Sequence, residues 1–138
     1  MENKELKRIS IEDSIVEIRY EDEKVGIRFG NKEIEFYGHH DQSCCESVYA
    51  DFSQIKNYID DINQKKFKEI VIKGVEGMGF LMCFYADWEE SVKVFIPCYN
   101  CQNGYYSSNL VLVLNTTENN SVSSEKIDIS DLVEDHIK

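Results

Sequence analysis

The 138 residues include 15 basic and 26 acidic side chains, a net charge of −11, with 42% hydrophobic and 12% aromatic content. That length and composition fit one domain, 1–138, with a core of its own, and they exclude a disordered chain. With no basic stripe to neutralise phosphates, direct nucleic-acid binding is not expected, and an acidic surface steers instead toward basic partners.

The acidity is uneven: residues 31–64 carry two bases and seven acids, whereas 65–97 balance five against five. The opening MENKELKRIS lacks the apolar core of a signal peptide. No run approaches the roughly 18 apolar residues of a membrane span. A cytoplasmic location without membrane contact is therefore expected, with the five cysteines reduced.

In chain order, residues 1–12 are charged and read as an N-terminal arm. Ile15 to Tyr20, Val25 to Phe29 and Ile34 to Tyr37 alternate as short strands, joined by Glu21-Asp22-Glu23-Lys24 and by Gly30-Asn31, which predicts an antiparallel meander. From Asp51 the period turns helical, with Phe52, Ile55, Ile59 and Ile62 on one face and Asp51 or Ser53 as cap, for about three turns. Strands return at Phe67 to Lys73, Phe80 to Tyr85, Val92 to Ile96 and Tyr105 to Leu114, with a glycine-rich turn at 74–79 and a hairpin signal at Asn103-Gly104. Residues 115–126 read as a polar loop, and 127–133 as a short capped helix.

This order predicts an α+β fold: one curved antiparallel sheet of about six or seven strands, a main helix on one face and a short C-terminal helix. Residues 80–85 and 110–114 are apolar on both sides. Their outer faces need a cover, from the C-terminal helix, from sheet curl or from a second subunit, and a homodimer is the favoured one.

The octapeptide His39-His40-Asp41-Gln42-Ser43-Cys44-Cys45-Glu46 concentrates metal-ligand and catalytic residue types. Cys98 and Cys101 form a C-x-x-C pair that His39 and Cys44 would complete as a zinc set. Adjacent residues of an extended chain point to opposite faces, however, so Cys44 and Cys45 cannot both join one site on a strand. Cys45 beside a histidine supplies a nucleophile–base pair, without a helix start or glycine elbow to lower the thiol pKa. The residues alone favour packed thiols, with no metal, no cofactor and no catalytic set. Trp88, between Asp87 and Glu89, is a candidate partner contact. Tyr99, Tyr105 and Tyr106 are candidates for stacking on a planar ligand.

His40-Asp41-Gln42-Ser43-Cys44-Cys45-Glu46-Ser47-Val48 resembles the signature H-x-Q-x-C-C-E-x-V of small uncharacterised domains encoded mostly by phages and prophages. Asn103-Gly104-Tyr105-Tyr106-Ser107 resembles their closing N-G-Y-Y-S turn, which extends the similarity over about residues 13–114. The resemblance implies that the octapeptide is a structural corner, with Cys98 and Cys101 additions of this chain. Its functional version is a pocket lined by His40, Gln42, Glu46, Tyr105 and Tyr106.

The resulting expectation is a phage- or prophage-encoded, non-enzymatic inhibitor in the host cytoplasm that blocks the basic nucleic-acid-binding surface of a host defence factor. A sponge for a small nucleotide is the alternative, with Arg28, Lys65, Lys66, Lys68 and Lys93 as phosphate donors. An immunity protein capping a toxin, and a cysteine-dependent or zinc enzyme, complete the set.

Overall fold

The computed structural model describes residues 4–39, 48–86, 89–100 and 110–135, most of them in a single sheet. β1 (Lys4–Glu21), β2 (Lys24–Phe29) and β3 (Lys32–His39) form the antiparallel meander that the alternation demands. Its register sets Ile18, Ile27 and Ile34 side by side in the core. The remaining strands are β4 (Val48–Ala50), β5 (Lys65–Val75), β6 (Gly79–Ala86), β7 (Glu89–Asn100), β8 (Val111–Glu118), β9 (Ser121–Asp128) and β10 (Glu134–Asp135). They follow the order β10-β7-β6-β5-β1-β2-β3-β8-β9, with β4 beside β7, and the path is open.

Mostly antiparallel sheet with one short helical segment is thus the architecture, but nine strands lie on the main path instead of six or seven. The additional strands come from segments whose polarity conceals them. From Lys4 onward the expected arm is the first half of β1. The expected loop at 115–126 is the end of β8, a turn with Asn119 and Asn120 both at positive φ, and most of β9. β9 is exposed along nearly its whole length, so nothing selected apolar residues there. The C-terminal helix is a single 3-10 turn, Ser130–Leu132, over which Ser130 donates backbone and hydroxyl hydrogen bonds to Asp128.

β1 holds the architecture together because it serves two arms. Residues from Lys4 to Val16 pair with β5, and residues from Val16 to Glu21 pair with β2. Between Ser10 and Ser14 the register with β5 shifts, where Glu12 (φ 57°) and Asp13 (φ 61°) both take left-handed backbone. Such a conformation costs an L residue roughly 1–2 kcal/mol. The bulge reverses side-chain parity, so Ile9 and Ile11 face the core before it and Val16 and Ile18 after it. The two arms then enclose one continuous cluster, including Phe36 from the β2–β3 arm and Phe80, Met82 and Phe84 from the β5–β6 arm.

Residues 52–62 pack into this cluster as a 3-10 helix, Phe52–Tyr58, continuing into one α-turn, α1 (Ile59–Ile62). Phe52, Ile55 and Ile62 are buried as the periodicity requires, and the Asp51 carboxylate accepts from Ser53 N–H at 2.9 Å. The end is tied to β1, where Ile18 N–H donates to Asn63 Oδ1 at 3.0 Å and Gln64 N–H donates to the Val16 carbonyl at 2.7 Å.

The outer face of the β5–β6 arm covers itself. Val71 and Cys83 are register partners, buried yet outside the core cluster. Their row continues to Arg8 and Lys93, and the flanking rows hold Glu69, Lys73, Leu81, Tyr85 and Phe95. Arg8 pairs with Glu69, and Lys73 Nζ donates to the Tyr85 hydroxyl at 2.7 Å, laying long apolar stems over the row. Burying Val71 and Cys83 therefore requires no second subunit.

On β6, Gly79 faces Pro97 of β7. A Cβ on Gly79 (φ 152°) would stand 2.2 Å from the Ile96 carbonyl oxygen. Gly79→Ala is expected to destabilise the fold by about 3 kcal/mol or more in urea denaturation. Gly30→Ala, at φ 56° with nothing within 4 Å of the new methyl, is expected to cost only about 1 kcal/mol.

Candidate functional site

The register gathers the flanks of both sequence motifs at one end of the molecule. His39 pairs with Val111, and Val48 pairs with Asn100, so the described residues on either side of 40–47 and of 101–109 are strand neighbours. Of the sequence-derived site residues, Tyr99 is described; His40, Gln42, Glu46, Trp88, Tyr105 and Tyr106 lie outside the described residues, as do Cys44, Cys45 and Cys101.

Tyr99 sits on β7 and stacks obliquely on Tyr49 of β4, with ring centroids 5.5 Å apart at 48°. Tyr49 is 39% exposed, although the residues on either side of it, Val48 and Ala50, are buried. The sequence reading missed Tyr49. Its signal was the apolar–aromatic–apolar triplet Val48-Tyr49-Ala50, too short to stand out as a strand. On the other side of Tyr99, parallel β10 brings Glu134 into register with it and Asp135 into register with Asn100. An aromatic pair thus adjoins the acidic C-terminal strand.

Beneath this end the backbone is closely tied. Asp51 N–H donates to the Pro97 carbonyl at 2.8 Å, and Cys98 N–H donates to Met78 O at 3.0 Å. Leu110 N–H donates to Ser130 Oγ at 3.0 Å. A Cβ on Gly38 would lie 3.2 Å from that of Ala50, so β3 and β4 meet closely.

Cys98 faces the core with no exposed surface, and burial pushes its thiol up to about 12. Such a thiol remains protonated and packs as a small hydrophobe. His39 is exposed at the end of β3. Among the described residues no three metal-ligating side chains come together.

The five expected phosphate donors separate. Arg28 lies in the row Glu17–Arg28–Glu33 of the meander, and Lys68 is partly buried in β5. Lys65, Lys66 and Lys93 line one cleft of about 650 Å3, together with Tyr58, Asp61, Phe67, Ala86 and Val92. The cleft takes in the start of β5, the end of β6 and the Val92 end of β7, away from the tyrosine pair.

The chain matches no family model, no curated protein and no solved structure. Among the described residues no helix is long and apolar enough to cross a membrane.

Cys98 links stability to pH. Its folded pKa stands above the roughly 8.5 of an exposed thiol, so its contribution is complete below that value and is lost as pH rises toward about 12. The stability difference between the native chain and Cys98→Ala is expected to shrink between pH 8 and pH 11 in urea melts. In the folded protein at pH 8, peptide mapping is expected to find Cys98 unalkylated by iodoacetamide.

Proposed function

We propose that this protein is a non-enzymatic binding protein that occupies a partner with a basic surface, docking through the end that carries Tyr49 and Tyr99. The observation that carries the reading is the stacked, part-exposed tyrosine pair, in a register row that continues to Glu134. Tyrosine is a preferred anchor at interfaces, because a rigid ring buries a large area at little entropic cost and keeps a polar tip. The acidic composition of the chain favours cationic surfaces, and the net charge of −11 steers encounter with them.

The buried Cys98 supports an architectural reading of that thiol. The resemblance to phage and prophage domains supplies the setting, in which the partner is a nucleic-acid-binding host defence factor held off its nucleic acid. An immunity role against a toxin would use the same surface and differ only in the target.

The test is affinity capture from host cells, with the captured protein identified by mass spectrometry and then assayed for nucleic-acid binding with this protein as competitor. The expected result is a basic protein displaced from its nucleic acid, with binding weakened at 0.5 M salt. A Tyr49→Ala/Tyr99→Ala variant is expected to bind at least tenfold more weakly, roughly 1.4 kcal/mol. Binding that ignores both the double substitution and the salt would overturn the reading.

A further inference from the structure

We infer that the cleft between α1 and the adjoining ends of β5, β6 and β7 binds a small phosphate ester carrying a planar aromatic group, a ligand of the nucleoside monophosphate class. This site is separate from the tyrosine end and does not depend on the docking proposed there. It gives the nucleotide-sequestering alternative a location.

Among the described residues, Lys65, Lys66 and Lys93 line the cleft together with one carboxylate, Asp61, in a chain whose total charge is −11. Lys7, Arg8, Arg19 and Lys24 of the sheet each make a salt bridge to a glutamate. Among the described residues neither Lys65 nor Lys66 does so, and both are exposed. A phosphate dianion complements the positive charge of the lysines that line the cleft and accepts charge-assisted hydrogen bonds from ammonium groups.

Phe67, Ala86 and Val92 give the cleft apolar surface, and Phe67 is held in place by its contact with Phe84, ring centroids 5.4 Å apart. Tyr58, partly buried against the core, adds an aromatic ring to the lining. Apolar walls with a few convergent polar groups, in a volume of 300–1,000 Å3 or so, are the usual composition of a small-ligand site. The Asp61 carboxylate is an acceptor suited to a ribose hydroxyl or a base amino group. It also limits how much negative charge the site tolerates, which favours a monophosphate over a triphosphate. The acidic remainder of the chain opposes a polynucleotide.

Isothermal titration calorimetry of the full chain tests this, using the four common nucleoside 5′-monophosphates, their triphosphates, the free nucleosides, inorganic phosphate and a single-stranded oligonucleotide. At least one monophosphate is expected to bind tenfold or more tightly than its nucleoside, its triphosphate or inorganic phosphate. Lys65→Gln/Lys66→Gln is expected to lose at least tenfold in that affinity with an unchanged melting midpoint, since both side chains are exposed. The inference is overturned if no monophosphate binds at millimolar concentration or if the double variant binds as well as the native chain. It is equally overturned if nucleoside, triphosphate or phosphate alone matches the monophosphate, or if the oligonucleotide binds more tightly than any of them.

Discussion

Everything in this molecule depends on β1 being one strand with a break in its parity. A flat sheet of this many strands would leave a whole face of Ile, Val and Phe in water. The left-handed pair Glu12–Asp13 turns β1 so that its first half belongs to the β5–β6–β7 arm and its second to the β2–β3–β8 arm. The sheet can then fold its own core face inward, and residues 52–62 pack into the space between the arms. At roughly 1.5–3 kcal/mol per buried large apolar side chain, the cluster readily offsets two strained backbone positions.

That geometry separates two kinds of chemistry along β7. At its C-terminal end the chain places stacked tyrosines, an acidic edge and a thiol that burial keeps protonated. Toward its start lie the cationic cleft and its apolar walls. β7 holds these two surfaces of different character apart, each screened from the other's charges beyond about 8–10 Å.

Much of this was legible wherever one face of an element is wet. The meander from Ile15 to Tyr37 alternates cleanly because its outer face carries Glu17, Arg19, Arg28, Glu33 and Glu35. The helical segment showed through the burial of Phe52, Ile55 and Ile62. The first half of β1 was not legible, because the interval from Ile11 to Val16 is odd and breaks the period-two pattern at the bulge. β9 was invisible for a different reason: Ser121 to Lys126 is exposed on both faces, so no apolar alternation marks it. Lys65, Lys66 and Lys93 were legible as cations but not as neighbours, since only the adjacency of β5, β6 and β7 brings residues 27 or more positions apart to one cleft.

The central claim is that the kinked β1 leaves two independent recognition ends. Native mass spectrometry of the protein drawn directly from cells, alongside its tyrosine-end and lysine-cleft variants, measures this in one observation. The account predicts a small anionic ligand of nucleotide mass that disappears only from the lysine-cleft variant, and a basic protein partner that disappears only from the tyrosine-end variant. Loss of both species from either variant, or a bare chain throughout, would contradict it.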